Sequence, residues 1–417
     1  MWARVKLKID WSDLWFTLRA ARRGGDADRL QQELEAFWSP RGDALACISV
    51  RSGYDLLLQA MMADGTLEAG DEIMFSALNI KQMVRVTERL GLVPVPVDLN
   101  LADMSPRMDA AERAVGPRTK AFVVAHLFGA RVDLGPVAVF ARKHGLLLVE
   151  DCAQAYDGPA NRGSAVADVA MFSFGPIKTK TCLGGAMLTV RRPDLLARMR
   201  SIQATYPRQE NRDQAKRALK FAALKIVISK PVFRLIDLAF RLRGKSYDEG
   251  VSNAVRDVAK QKTPKQLRRR CSAALLELML RRLRQDVAPE LRERMRLGGR
   301  LRAAVDGAAI LPATASRYHD YWVFPAIVEN PAETIAAMRK AGFDACDLPR
   351  SEAIAPPPGR EDLRAVVAEK TLTNLIVLPC YPEMPDREID RQAEAFRRVA
   401  RPAEMPQPLA ALPAAAE

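Results

Sequence analysis

A largely parallel α/β sheet with helices on both faces, followed by a smaller α+β unit, is the fold class this sequence predicts. Three observations predict it. Short apolar strands alternate with helical spacings between Leu45 and Val190, which implies a parallel sheet buried on both sides. After Arg200 the alternation gives way to long basic helices up to about Arg302. A chain of 417 residues, 48% of them hydrophobic, is long enough for one large domain and a smaller one.

In order, residues 28–38 (DRLQQELEAFW) read as an amphipathic helix and Leu45–Val50 as a strand ending at Arg51-Ser52-Gly53, after which Tyr54–Met62 resumes helical spacing. Glu72–Phe75, Val93–Val97, Ala121–Ala125, Leu146–Val149, Val169–Phe174 and Ala186–Val190 read as strands, with helices at Lys81–Leu90 and Val137–His144. Gly298-Gly299 marks a break in the basic helices, and Tyr321–Val328 reads as a strand of the smaller unit. Asn330-Pro331-Ala332-Glu333 then opens a helix by a side-chain cap, and Gly342 ends it. The proline- and alanine-rich stretch after Arg401 carries no element and reads as disordered. No internal repeat is visible.

Residues 1–10 lack the apolar run and small-residue cleavage site of a signal peptide, so the chain is expected to stay in the cytoplasm. Six cysteines without a CxxC pair, and three histidines, suggest neither a disulfide framework nor a metal site. The net charge of +14 favours an anionic partner.

Three short patterns carry chemistry. LLLVED, ending at Asp151 with Gln154 three residues on, is a buried strand that delivers a carboxylate to the mouth of the sheet, where ligands gather. The same pattern also serves an aspartate that caps the next helix. MFSFGPIK delivers Ser173 and then Lys178 into a turn, where a desolvated lysine loses pKa and becomes an amine nucleophile. Lys180, two residues on, has the same claim from the pattern alone, and either lysine reads equally as a solvated loop cation. Arg51-Ser52-Gly53 before a helix offers free N–H groups and close approach to a phosphate, or is an ordinary turn.

In this order the pieces resemble the DegT-type (DegT/DnrJ/StrS-like) sugar aminotransferases, from about Asp43 to Ala400. The resemblance is carried by LEAGDEIMFSALN (67–79), VGPRTKAFVVAHLFGARVDL (115–134), HGLLLVEDCAQAYDG (144–158) and ADVAMFSFGPIKTK (167–180). It implies a fold-type-I enzyme dependent on pyridoxal 5′-phosphate (PLP), acting on keto sugars linked to nucleotides with glutamate or a similar donor, and working as a homodimer. By position it makes Lys178 the lysine that forms a Schiff base with the cofactor and moves protons. Asp151 becomes the partner of the ring nitrogen, Gln154 the amide near the phenolic oxygen, Ser173 a phosphate ligand, and Ser52 and Gly53 the phosphate-binding turn. His126 falls in the family's His-x-x-Gly loop and reads equally as a packing histidine. A related dehydratase activity is disfavoured because those relatives replace the lysine with histidine. A regulatory homologue that keeps the fold without turnover is the rival from another class.

Two departures stand out. Leu78, Asn79 and Ile80 occupy the loop from which the family stacks an aromatic ring on the cofactor. Lys265 and Leu267 stand where an Asn-x-Arg motif should reach the neighbouring subunit, leaving Lys265 or Arg268 to supply a cation. Domain organisation is read as an N-terminal segment and helix (1–40), the cofactor-binding α/β domain (41–205), a basic amphipathic insertion (206–262), a helical connection (263–302), the small α+β domain (303–400) and the tail (401–417).

Within the insertion, residues 211–245 hold ten Lys/Arg against Asp213 and Asp237, a net of +8, interleaved with apolar residues. Charges and Pro231 interrupt it too often for a membrane span. It reads as a stripe packed on the protein, or as a peripheral contact with anionic membrane that serves a lipid-linked substrate. Sparse aromatics argue against nucleic acid.

Overall fold

The computed structural model describes residues 1–4, 6–227 and 264–406. Its first half holds α1 (Trp11–Arg23), α2 (Ala27–Trp38), β1 (Ala44–Cys47), α3 (Val50–Ala63), β2 (Glu72–Ser76), β3 (Leu78–Ile80), α4 (Lys81–Arg89), β4 (Val93–Val97), α5 (Met108–Ala114), β5 (Thr119–Ala125), α6 (Gly135–Lys143), β6 (Leu147–Asp151), β7 (Val169–Ser173) and β8 (Ala186–Val190). There follow α7 (Pro193–Ala204), α8 (Asn211–Val227), α9 (Pro264–Leu267), α10 (Ala273–Leu283), α11 (Ala288–Ala304), β9 (Phe324–Ile327), α12 (Pro331–Lys340), β10 (Ser351–Ala353), α13 (Val366–Asn374), β11 (Leu375–Leu378) and α14 (Asp386–Val399).

Seven strands form one sheet in the order β1-β8-β7-β6-β5-β2-β4. Pairing is parallel from β4 through β7 and antiparallel at β7/β8 and β8/β1. The edge position of β4 accommodates Pro94 and Pro96, which cannot donate to a ladder. Both faces are covered by apolar clusters: α3, α4 and α7 contribute to one, and α2 and α10 to another. Strand β6 is buried along its whole length, as its continuous apolar run requires. Because β5, β6 and β7 run parallel, His126, Asp151 and Ser173 emerge at the same edge of the sheet.

Several sequence expectations are corrected. Gly298-Gly299 breaks nothing: both lie inside α11, where a side chain on Gly298 would stand 2.3 Å from the Tyr321 ring, so the glycine permits close packing. Asn330 makes no side-chain cap, and α12 starts on the proline alone. The strand expected over Tyr321–Val328 shrinks to β9, which pairs with β11. Strand β3 is an extra ribbon with β10, formed because Leu78 and Asn79 are buried under the C-terminal unit. Of the tail, residues 401 and 402 pair with Val328 and Glu329 just past β9, the Glu329 N–H donating to the Arg401 carbonyl at 2.9 Å, and Ala403 is buried. The tail beyond residue 406 lies outside the described residues, as does the basic segment beyond residue 227. The described part of that segment is α8, which buries Ala218 and Phe221 and packs on α1.

A buried ion pair sits where the C-terminal unit meets the loops at the sheet edge, Gly129 and Thr179 hydrogen-bonding to its two residues. Arg294 on α11 and Asp320 are 4% and 0% exposed, with guanidinium and carboxylate 2.8 Å apart. The Asp320 N–H donates to the Gly129 carbonyl at 2.9 Å, an approach possible only because residue 129 has no side chain and sits at φ +94°. Burial pushes the Asp320 carboxyl up to about 6, even with Arg294 pulling the other way.

Arg294→Ala should therefore cost about 3–5 kcal/mol at pH 8, where a buried charge loses its partner. A group whose folded pKa is raised favours the folded state in acid and loses that contribution as pH rises through the folded value, here about 6 and higher without the arginine. Urea unfolding should show a smaller deficit for the variant at pH 5 than at pH 8; an equal deficit would contradict this assignment.

Candidate active site

A cleft of about 1330 Å³ opens at the strand edge described above. Among its lining residues are Ser49, Arg51, Asp151, Gln154, Ser173, Lys178, Trp322 and Arg350. Asp151 ends β6, is 6% exposed, and has one oxygen accepting the Ala153 N–H at 2.9 Å. Among the described residues no cation lies within ion-pair distance of it. Burial pushes its carboxyl above the ordinary aspartate value.

Lys178 follows β7 in a turn closed by its own N–H to the Gly175 carbonyl, 3.1 Å. Its ammonium nitrogen stands 4.2 Å from the centre of the Trp322 ring. Burial pulls the amine down to about 8, Asp151 opposes that shift, and Arg51 adds to it. A lysine so placed is partly free base near neutral pH, as a nucleophilic amine must be. The pattern alone left Lys180 open, and the fold separates the two. Lys180 is 6% exposed, donates to the Asp286 carbonyl at 3.3 Å, and does not line the cleft.

The Gln154 oxygen accepts the Phe128 N–H at 2.8 Å, so its NH₂ is the end left for a ligand. Ser173 lines the cleft, its hydroxyl 3.5 Å from the Gly175 N–H. His126 is a framework residue. Its Nδ1 accepts the Val132 N–H at 3.1 Å, so Nε2 carries the proton and donates to Glu150 at 2.8 Å. The His126 backbone N–H in turn holds the Asp151 carbonyl at 3.0 Å. His126, Glu150 and Cys152 could group as metal ligands, but both ring nitrogens are already engaged.

Ser52 and Gly53 do not face the cleft. The strand ends at Cys47 and α3 begins at Val50, capped by the Ser49 hydroxyl accepting from Ser52 N–H at 3.2 Å. That cap places Ser52 in the first helical turn, where its own hydroxyl donates to the Leu267 carbonyl at 2.5 Å. Gly53 packs on Leu188, which an added side-chain carbon would meet at 2.6 Å. Ser49, Val50 and Arg51 are the residues of this turn that line the cleft, and N–H groups of a first helical turn have no intrahelical acceptor. Arg268 pairs with Asp55 at 3.1 Å and is not a cleft residue of this chain.

Sequence reasoning missed Trp322 and Arg350, and read Arg51 only as part of a backbone turn, not for its side chain. Burial pulls the Arg51 guanidinium below its usual range, with Arg350 adding to the effect, and neither has a carboxylate partner among the described residues. Trp322 is fixed by its indole N–H donating to the Ile177 carbonyl at 3.1 Å.

The DegT/DnrJ/EryC1/StrS aminotransferase family matches residues 18–223. Over those residues, just under half of the chain, the sequence matches that family. Among curated family relatives it is 37% identical over 179 residues to "Erythromycin biosynthesis sensory transduction protein EryC1" of Saccharopolyspora erythraea, covering 41% of this chain and 48% of that one. It is 36% identical over 168 residues to GDP-perosamine synthase of Caulobacter vibrioides, covering 38% and 43%. The chain thus spans about half, or less, of the length of these relatives. The solved structure of NtdA from Bacillus subtilis, with bound cofactor PMP, superposes with a TM-score of 0.67 at 20% identity, over 93% of this chain and 81% of that one. The fold, a mostly parallel sheet with flanking helices and a C-terminal α+β unit, is therefore shared with that structure over nearly the whole of this chain.

The cleft residues fit the family's cofactor, PLP. A buried carboxylate without a cation, an amine of depressed pKa and a capped helix start beside an unpaired arginine are the donor set that a protonated ring nitrogen, an aldehyde and a phosphate require.

In cofactor-free protein, the rate at which Lys178 forms an imine with an added aldehyde should rise with pH to a midpoint near 8. Asp151→Asn removes the charge that supports the ammonium, so the midpoint should move lower. Stopped-flow absorbance reads both; a midpoint near the ordinary lysine value in either protein would contradict the assignment.

Proposed function

We propose that the protein is a PLP-dependent aminotransferase that moves an amino group from an amino-acid donor, glutamate or a close relative, to a keto sugar carried on a nucleotide. The observation that carries this reading is the Lys178 amine, drawn down to about 8, sharing one cleft with the buried Asp151. When bound, the cofactor supplies an electron sink for the substrate carbon.

The chain's own residues have separable tasks. Nζ of Lys178 would hold the cofactor's aldehyde and is the base placed to take up and return a proton at the substrate carbon; a pKa near 8 allows both forms around neutral pH. The carboxylate of Asp151 would hold the ring nitrogen in its protonated form, and its dry setting would strengthen that interaction. The NH₂ of Gln154, turned toward the cleft because Phe128 N–H holds the other end, would donate to the phenolic oxygen. Ser173, the N–H groups at the start of α3 and the Arg51 side chain receive the phosphate. Leu78, which lines the cleft, would cover the ring in place of an aromatic, and the Trp322 ring stands against the amine.

An anionic acceptor is supported by Arg350, a cleft cation without an acidic partner among the described residues. The nucleotide named in GDP-perosamine synthase points the same way. A cytoplasmic setting is supported by six free, buried cysteines, and a homodimer by the family resemblance.

The test is a pair of half-reactions. Purified protein loaded with cofactor should lose its visible colour on addition of glutamate or glutamine. It should regain that colour when offered one of a panel of keto sugar nucleotides, with an amino sugar found by mass spectrometry. Coloured protein that ignores every amino donor would sink the proposal.

A further inference from the structure

Helix α1 is fixed on one side and open on the other. Leu14, Thr17 and Ala20 are buried, and the buried Asp13 accepts from Arg281 at 2.8 Å and Arg282 at 2.6 Å on α10. The opposite stripe, Trp11, Trp15, Arg19 and Arg22, follows helical spacing and is exposed, the two tryptophans by 46% and 66%. Helix α8 packs beside it, tied by the Lys225 ammonium, which donates to the Ile9 carbonyl at 2.6 Å and lies 5.9 Å from the Trp11 ring centre.

Helix α8 has the same two-sided character. Ala218 and Phe221 are buried, while Lys216, Leu219, Lys220, Ala223 and Ile226 are exposed, Leu219 by 55% and Ile226 by 50%. Each helix contains one acidic residue and neither is free: Asp13 is buried, and Asp213 lies 3.5 Å from Arg269. Arg19, Arg22, Lys216 and Lys220 have no carboxylate within ion-pair distance among the described residues.

Large apolar and aromatic side chains beside unpaired cations, with no exposed acid on either helix, are the composition of a surface that lies in a lipid headgroup layer. Among the described residues no helix is long and apolar enough to cross a membrane, so the contact is peripheral. We propose that α1 and α8 together form an interfacial anchor for an anionic lipid surface. Tryptophans and aliphatic side chains enter the headgroup region while the arginines and lysines meet lipid phosphates. The consequence for the site is positional. Lys216, Lys220 and Leu224 of the same α8 line the cleft that holds Lys178, so docking sets the cleft beside the lipid headgroups. This proposal is independent of the aminotransferase reading, because binding is measured without turnover.

The full-length, cofactor-loaded protein is sedimented with vesicles of phosphatidylcholine alone, or of phosphatidylcholine and phosphatidylglycerol in equal parts. It should pellet with the anionic vesicles, stay in solution with the neutral ones, and be released by added salt. Removing Lys216 and Lys220 as glutamines should weaken binding about fivefold for each charge. Trp11→Ser with Trp15→Ser, exposed positions whose loss leaves the core intact, should abolish the pellet while preserving the melting temperature and the visible absorbance. The proposal is overturned if the parent protein remains in solution with anionic vesicles, or if the tryptophan variant pellets equally. It is also overturned if light scattering shows that variant converting a dimer to monomers while the parent ignores vesicles, which would make the patch a subunit interface.

Discussion

The electrostatic coupling of Lys178 to Asp151 in a desolvated cleft is the interaction on which the rest of this molecule depends. Each group alone is expensive to keep there. Burial disfavours the ammonium and drives the amine toward its free base, while burial of the carboxyl raises its pKa. Their mutual attraction is too weak to restore the ordinary lysine value, and the two do not close into an ion pair. The outcome is a nucleophilic amine and a carboxylate still available to a third charged group. A direct salt bridge would have satisfied both and left neither for a ligand.

The fold exists, in this sense, to hold those two side chains at that separation. Parallel pairing of β6 with β7 brings Asp151 opposite Met171, and the turn after Ser173 carries Lys178 back over the strand ends. Behind Asp151, the His126–Glu150 hydrogen bond fixes the backbone from which the carboxylate projects. Burial would raise the Glu150 carboxyl, but the hydrogen bonds it accepts, from His126 and from the Ser164 N–H among others, together hold it below the usual range. In front, the C-terminal unit closes the cleft through the Arg294–Asp320 pair, which sits two residues from Trp322 and sets that ring against the amine. Stability and chemistry are thus linked through one loop, residues 318–322.

What was legible in the sequence follows from how local each signal is. Asp151, Gln154, Ser173 and Lys178 lie at or just past strand ends, and a buried apolar run followed by a polar residue reads clearly in one dimension. The start of α3 was misplaced by four residues, Tyr54 for Val50. Ser-Gly has the look of a turn, yet Ser49 caps the helix earlier and Gly53 is glycine because Leu188 leaves no room for a side chain. Trp322 and Arg350 gave no local signal. They reach the cleft only when segments more than a hundred residues from Lys178 dock upon it, and nothing in their neighbours' spacing records that approach. The ribbon of β3 with β10, which carries Leu78 and Asn79 to the cleft wall, is of the same tertiary origin. The basic segment was legible as composition, but its partner was not: the tryptophans beside α8 come from a helix at the other end of the domain sequence.

The most direct test of the central claim is chemical. Cofactor-loaded protein is reduced with borohydride, digested and mapped by mass spectrometry. The account predicts a single pyridoxyl-phosphate tag on the peptide containing Lys178. A tag on Lys180 or any other lysine, or none on fully loaded protein, would contradict it.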